Sequence, residues 1–381
     1  MLNAISSSLM QSLLVCWLMT SGLAASDDVR TIHLVLPPEF YAVPDVESNI
    51  YFSNVVLAVP DSKLSFEVDC PLGHSDSARW SLTAREADVG SVPLTIHVKD
   101  VDRNVVESAT SKLTIVPADA GSGKEINLLI VGDSLTHASV YPNEIARLLD
   151  GPGNPAWTML GTHKPAGAAA HVAHEGYGGW TWAAFNERFA ADASVPGRSS
   201  PFVFPAVEGK PGLNVPRYFD EHCAGTRPDF IIVKLGINDC FGFDAADATL
   251  LDAQMDGMFE QAEKLLAEFC RAAPDADIGV CLTTPGNSRD EAFVANYQGR
   301  YSRAGWKTIQ HRLVERQIRQ FREREPERIF IIPTELDLDT VDGYPADNAV
   351  HPNTSGYQQI GKTVFAWLKF RLHARGSVGD L

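Results

Sequence analysis

The spacing of apolar residues changes near residue 120, and this change limits the possible folds more than any other feature of the chain. Between residues 30 and 117, apolar and polar residues alternate with a period of two, which is typical of strands with one buried face. Pro or Gly residues separate these segments, and no helical period interrupts them. We therefore predict that residues 27–117 form a sandwich of about seven short strands that resembles an immunoglobulin-like module.

An Ala-, Gly- and Ser-rich linker at residues 118–124 precedes a different pattern, in which short apolar runs alternate with amphipathic helices. The runs with the composition of strands buried on both faces are Leu128–Val131, Trp157–Leu160, Phe230–Leu235, Ile278–Leu282 and Ile329–Ile332. Residues 125–375 are therefore predicted to form a three-layer α/β/α domain around about five parallel strands. Ligands of such domains bind at the carboxyl ends of the strands.

Residues 1–26 carry no charge, and a short apolar run at residues 13–19 is followed by small residues. This pattern predicts a signal peptide over residues 1–25 and a secreted or periplasmic protein, although no basic residue precedes the run. A buried first strand or a membrane anchor is the alternative. The run is shorter than the ~20 residues that cross a bilayer, and no later segment is long and apolar enough, so stable membrane insertion is not expected.

Acidic residues outnumber basic ones by 48 to 32, which gives a net charge of −16. Because such a surface repels phosphate backbones, a nucleic-acid partner is not predicted. The five cysteines after residue 26 show no zinc-binding spacing. His171, His174 and Glu175 could suggest a metal cluster, but the segment leads into a Gly-Gly pair, so a structural or pocket-lining role is favoured.

Three polar motifs follow predicted strands or precede predicted helices. Gly132-Asp133-Ser134 comes directly after the first α/β strand, where a tight turn would expose the serine hydroxyl. Asn238 follows the third strand, where its amide could donate to a developing oxyanion. His351 precedes the last helix and could accept the proton of a serine. Each motif alone is common in turns, but together they predict a nucleophile, a base and an oxyanion donor.

In order along the chain, these motifs resemble the four blocks of the SGNH/GDSL hydrolase superfamily, over roughly residues 125–375. The blocks are Gly132-Asp133-Ser134-Leu135, Gly178-Gly179-Trp180-Thr181, Gly236-Ile237-Asn238-Asp239 and His351-Pro352. The resemblance implies a flavodoxin-like sheet and two-step acyl transfer without metal or organic cofactor. It also implies that Ser134 is the nucleophile, that His351 is the base, and that Ser134, Gly179 and Asn238 form the oxyanion hole.

One position departs from the family pattern. The family usually places the triad aspartate three residues before the histidine, where this chain has Asn348, while Asp347 lies four residues before. Because an amide cannot stabilise an imidazolium as a carboxylate does, we expect Asp347 to orient His351. Orientation by Asn348 or by a backbone carbonyl is the alternative.

Aromatic and basic residues near the predicted site suit a sugar ligand, and the candidate substrate-binding residues are Trp180, Tyr297, Arg300 and Trp306. The alternative for the tryptophans is core packing. With a predicted secretion signal and an N-terminal sandwich, the chain resembles carbohydrate esterases, so the expected substrate is an acylated carbohydrate or another small ester. A lysophospholipase or thioesterase remains an alternative, as does a non-catalytic glycan-binding protein with a degenerate triad.

Overall fold

The computed structural model describes residues 32–58, 63–191, 197–206, 209–240, 242 and 244–378. The predicted signal peptide, residues 1–25, lies outside the described residues. The described residues from Ile32 onward belong to one compact unit. Within the described ranges, no helix has the length and apolar character needed to cross a membrane.

The first part of the chain consists of short strands in three sheets. Its elements are β1 (Ile32–Leu34), β2 (Glu39–Ala42), β3 (Glu47–Tyr51), α1 (Phe52–Val55), β4 (Val56–Ala58), β5 (Ser65–Asp69), β6 (His74–Ser75), β7 (Arg79–Thr83), β8 (Gly90–Lys99) and β9 (Val105–Ile115). One sheet has the order β2-β9-β8-β5, a second β3-β7-β6, and β1 pairs with β4. Along β8, the side chains of Leu94, Ile96 and Val98 are fully buried, as period-two alternation requires.

Two features of this part were not predicted. The one-turn helix α1 lies between β3 and β4, and β2 runs parallel to β9 in an otherwise antiparallel sheet. Neither feature leaves a periodic signal in so few residues.

The second part alternates strands and helices. Its elements are β10 (Glu125–Gly132), α2 (Ser134–His137), α3 (Val140–Leu149), β11 (Ala156–Leu160), β12 (Glu175–Gly176), α4 (Trp182–Glu187), β13 (Val203–Phe204), β14 (Gly212–Leu213), α5 (Val215–His222), β15 (Phe230–Lys234), α6 (Ala248–Ala272), β16 (Asp277–Cys281), α7 (Asp290–Tyr297), α8 (Arg303–Phe321), β17 (Ile329–Ile332) and α9 (Thr354–Val378).

The parallel sheet of this part has the strand order β11-β10-β15-β16-β17, with β12 beside the carboxyl end of β10. Numbered along the chain, this is the flavodoxin-like order 2-1-3-4-5, which confirms the predicted fold class. The order reverses between β10 and β15, and ligands of doubly wound sheets bind in the crevice at such a switch point.

The long loop after β17 joins the two parts. Asn54 donates from Nδ2 to the carbonyl oxygens of Glu335 and Leu338, at 2.8 Å each, and Asn49 donates from Nδ2 to Oδ1 of Asp337 at 2.7 Å. The side chain of Leu336 packs into the hydrophobic core of the first part, while a second core surrounds the parallel sheet. The division into residues 27–117, 118–124 and 125–375 remains a prediction.

Candidate active site

Ser134 is the first residue of α2 and lies at the carboxyl edge of the parallel sheet. Asp133 caps this helix, because its Oδ1 accepts the N–H of Leu135 at 2.9 Å. A methyl group on Gly132 would lie 2.0 Å from Oγ1 of Thr136 and 2.9 Å from the carbonyl oxygen of Lys234. Glycine at this position therefore allows the helix to begin directly at the end of the strand.

His351 lies between the loop that follows β17 and the start of α9, and its Nε2 is 2.9 Å from Oγ of Ser134. Burial lowers the pKa of His351 from its ordinary value of 6.5. The imidazole is therefore neutral at pH 7, which leaves Nε2 able to accept the serine proton.

Asn348 fixes the orientation of this imidazole. Its Oδ1 accepts the backbone N–H groups of Val350, at 3.2 Å, and of His351, at 2.9 Å, and lies 3.3 Å from Nδ1 of the ring. Since an amide oxygen can only accept, the proton of the neutral ring is on Nδ1. Nε2 then presents its lone pair to Ser134.

The expectation that Asp347 orients His351 is corrected by this geometry. The side chain of Asp347 is exposed, and its carboxylate makes no hydrogen bond or ion pair with the described residues. The short turn from Asn348 to His351 points the amide of Asn348 toward the imidazole. The side chain of Asp347, one residue earlier, therefore faces solvent.

Strand register brings the loops of Gly179 and Asn238 beside Ser134. Gly132 at the end of β10 pairs with Gly176 of β12 on one side and with Lys234 of β15 on the other. The loops that carry Ser134, Gly179 and Asn238 therefore begin next to one another at the edge of the sheet.

Two hydrogen bonds join the loop of Asn238 to the loop of Gly179. Nδ2 of Asn238 donates to the carbonyl oxygen of Trp180 at 2.9 Å, and the carboxylate of Asp239 accepts the N–H of Trp182. Gly179 has φ +77°, a left-handed conformation that favours glycine. Within the described part of the chain its N–H has no acceptor, so this donor remains available to a ligand.

Buried ionisable side chains lie at the carboxyl ends of three parallel strands and were not anticipated from the sequence. Lys234 ends β15, and Glu335 follows β17 with neither carboxylate oxygen hydrogen-bonded to a described residue. Burial raises the pKa of Glu335 to about 8 and that of Asp133 to about 6, and it lowers the pKa of Lys234. A lysine at the end of the apolar run Phe230–Lys234 was the signal that could have indicated this cluster.

The prediction that Trp180 and Trp306 are exposed side chains that contact the substrate is wrong. Trp180 and Trp306 are 1% and 3% exposed, and Trp180 packs against Tyr177 and Phe185. The sequence motif could not distinguish a core indole from a surface indole, because it contains no information about which face is covered.

Tyr297 and Arg300 lie near the histidine loop. Oδ1 of Asn296 on α7 accepts the N–H of Ala349 at 2.6 Å. This hydrogen bond connects α7 to the loop that carries His351. Tyr297 is half-buried and Arg300 is exposed, with its guanidinium 5.3 Å from the ring centre of Tyr301. These two residues remain candidates for substrate contact.

The histidines before the glycine loop form hydrogen bonds within the protein. Nδ1 of His174 accepts the N–H of Gly176 at 3.1 Å, and its Nε2 lies 3.0 Å from Oγ of Ser139. Burial, with smaller contributions from His163 and His137, lowers the pKa of His174 to about 3, so this ring is neutral. His171 is exposed, and no group of three His, Cys, Asp or Glu side chains among the described residues could hold a metal ion.

No protein-family model matches the chain, and no curated protein matches it. Solved structures do match. The chain is similar to a Clostridium thermocellum family 3 carbohydrate esterase, with 19% identity and a TM-score of 0.40 over 66% of this chain and 98% of that chain. It is also similar to a family 3 carbohydrate esterase from Talaromyces cellulolyticus, with 16% identity and a TM-score of 0.40 over 65% of this chain and 98% of that chain.

A third similar structure spans more of the chain. It is a family two carbohydrate esterase from Clostridium thermocellum in complex with cellohexaose, with 13% identity and a TM-score of 0.38 over 90% of this chain and 99% of that chain. Because all three TM-scores lie below 0.5, the function proposed below depends on the geometry of the site itself.

Proposed function

We propose that the chain is a serine esterase of the SGNH type that removes acetyl or other small acyl groups from a carbohydrate. The observation that carries this proposal is the distance of 2.9 Å between Oγ of Ser134 and Nε2 of His351 at the switch point of the sheet. A serine hydroxyl hydrogen-bonded to a neutral, oriented imidazole is an activated nucleophile.

The first step forms an acyl-enzyme. Oγ of Ser134 attacks the ester carbonyl while Nε2 of His351 takes the hydroxyl proton, and the carbonyl oxygen becomes an oxyanion. The N–H groups of Ser134 and Gly179 and the amide of Asn238 are the donors we assign to this oxyanion. When the tetrahedral intermediate collapses, the ester C–O bond breaks and His351 gives its proton to the leaving alcohol.

Water reverses these roles in the second step. His351 removes a proton from the attacking water, the tetrahedral intermediate forms again, and the bond from Oγ of Ser134 to the acyl carbon breaks. The serine recovers its proton and a carboxylic acid leaves. The residues present supply every proton transfer in this sequence.

The carbohydrate part of the proposal is supported by the surroundings of the histidine loop. Tyr297 and Arg300 offer an aromatic ring and a guanidinium next to that loop, which are groups that contact sugar rings and their polar substituents. We also propose that the protein is secreted, as the composition of residues 1–25 predicts.

Acetate release from acetylated xylan, glucomannan and pectin tests this proposal. The wild type is expected to release acetate from at least one polymer and to hydrolyse an aryl acetate, and Ser134→Ala is expected to abolish both activities. Ser65→Ala, which changes an exposed serine on β5, is the matched control and is expected to behave as the wild type.

Two other outcomes would reject the proposal. Aryl-ester hydrolysis that increases with acyl chains longer than about four carbons would favour the lipid acyl hydrolase. Binding of glycans without any hydrolysis would favour the non-catalytic alternative.

A further inference from the structure

A small cavity lies between α8 and the loop that follows β16. Its volume is about 80 Å³, and we call it the α8 cavity; the residues that define it are Ser53, Asn287, Arg303, Trp306, Lys307 and Gln310. A cavity that holds a single water needs a volume of roughly 10–15 Å³. The α8 cavity therefore has room for a ligand of several heavy atoms.

The α8 cavity is positively charged in a protein whose net charge is −16. Arg303 and Lys307 both line it, and none of its described lining residues is Asp or Glu. Nε of Arg303 lies 3.0 Å from Oδ1 of Asp290, so this guanidinium already has a carboxylate partner. The three groups together leave one positive charge, which matches a monovalent anion.

Lys307 supplies that charge. Its Nζ donates to the carbonyl oxygen of Ser53, and no carboxylate of a described residue lies within ion-pair distance. Burial, with a smaller contribution from the charge of Arg303, lowers the pKa of Lys307 to about 8. A half-buried ammonium without a counter-charge is stabilised by any anion that enters beside it.

The α8 cavity also touches the loop that carries His351. Asn287, which lines the cavity, donates from Nδ2 to the carbonyl oxygens of Pro345, at 2.8 Å, and Asn348, at 3.0 Å. Its backbone N–H donates to the carbonyl oxygen of Ala349 at 2.8 Å. An anion in the cavity would therefore lie next to a residue that holds the base in place.

We propose that the α8 cavity binds the carboxylate group of a small acid between Arg303 and Lys307. The carboxylate can belong to a free short acid or to a uronic acid, and the size of the cavity admits the carboxylate end of either. The proposal does not depend on esterase activity, because binding can be measured without an ester.

Thermal shift and calorimetric titration with sodium acetate and sodium galacturonate test the proposal, with sodium chloride holding ionic strength constant and with galactose as the neutral comparison. Acetate, galacturonate or both are expected to raise the Tm and to bind saturably, while galactose does neither. If acetate binds, a free short acid is a sufficient ligand for the α8 cavity. If galacturonate binds and acetate does not, the ligand is a uronic acid.

Lys307→Met is expected to weaken carboxylate binding at least tenfold, and Arg303→Gln is expected to weaken it as well. Arg303 is partly exposed, so its variant tests the site even if Lys307→Met fails to fold. Arg319→Gln removes the same charge from an exposed position on α8 and is the matched control. Equal weakening by all three variants, or equal binding of galactose and galacturonate, would overturn the proposal, as would tighter binding of inorganic phosphate than of either carboxylate.

Discussion

Oδ1 of Asn348 lies 3.3 Å from Nδ1 of His351 and accepts two backbone N–H groups of the same turn. The amide of Asn348 is therefore held rigidly, and it orients the imidazole without contributing a negative charge. A base oriented in this way depends on hydrogen bonding and burial, and a carboxylate has no direct part in it.

Asn348→Ala is expected to lower kcat on an aryl acetate by about tenfold to a hundredfold, because the ring loses its acceptor and the turn loses two hydrogen bonds. Asp347→Ala changes an exposed side chain and is expected to alter kcat less than twofold. Steady-state kinetics of both variants check this prediction. A larger loss in Asp347→Ala than in Asn348→Ala would show that the loop rearranges during catalysis.

The pH dependence of kcat/KM follows from the burial of His351. The base must be neutral, and burial lowers its pKa below 6.5, so activity is expected to rise with pH, to reach half its maximum below pH 6.5 and to stay level up to pH 8. Asn348→Asp would place a carboxylate at Nδ1 and is expected to move the midpoint upward. Initial rates from pH 4 to 8 on an aryl acetate measure both midpoints, and a wild-type midpoint above 6.5 would contradict the assignment of His351.

Gly178 and Gly179 form a matched pair for testing the oxyanion donor. Both are exposed and a methyl group on either would meet no atom within 4 Å, but only Gly179 has a left-handed φ, of +77°. Gly179→Ala carries a conformational cost of about 1–2 kcal/mol that tends to turn its N–H away, so kcat/KM is expected to fall at least tenfold. Gly178→Ala is expected to match the wild type, and equal kinetics for the two variants would exclude Gly179 as a donor.

Glu335→Gln is expected to increase stability at neutral and alkaline pH. Burial raises the pKa of Glu335 to about 8 in the folded state, whereas the pKa of the glutamate in the unfolded state is the ordinary 4.5. Between pH 4.5 and about pH 8, Glu335 is therefore protonated in the folded state and ionised in the unfolded state. The free energy of unfolding of the wild type therefore falls with rising pH across this window, by up to about 1.4 kcal/mol per pH unit from this group. The glutamine does not titrate and avoids this loss.

Melting temperatures from pH 4.5 to 9 measure this effect. The Tm advantage of Glu335→Gln over the wild type is expected to grow up to about pH 8 and then to level off. Glu323→Gln, which changes an exposed carboxylate beside Arg322, is the control and is expected to have nearly the Tm of the wild type. An advantage of Glu335→Gln that shrinks as pH rises would contradict the prediction.

The sequence predicts the central sheet closely because each strand carries its own signal. Runs buried on both faces, such as Phe230–Lys234, are apolar over their whole length, and the observed strands end within a few residues of the predicted ones. Gly132 could also be placed at the end of such a run, and Asn238 in the turn that follows one.

Contacts between distant segments could not be predicted in this way. The choice between Asp347 and Asn348 depends on backbone dihedral angles in the turn from Asn348 to His351, and amino-acid composition does not determine these angles. The burial of Trp306 depends on what covers α8, and Lys234, the charged neighbour of Glu335, lies on a different strand. These features follow from how the elements pack, and the spacing of residues along the chain does not encode them.

The hydrogen bonds from Asn49 and Asn54 to the loop after β17 constrain how the two parts of the chain can evolve. The stretch that ends in the base, His351, takes its shape partly from side chains about 280 residues earlier, at separations of 288 for Asn49 with Asp337 and 281 for Asn54 with Glu335. Exchange of the N-terminal strands for an unrelated module would leave these buried carbonyl and carboxylate oxygens without donors. The two parts are therefore expected to be inherited together, with the asparagines and the loop changing in concert.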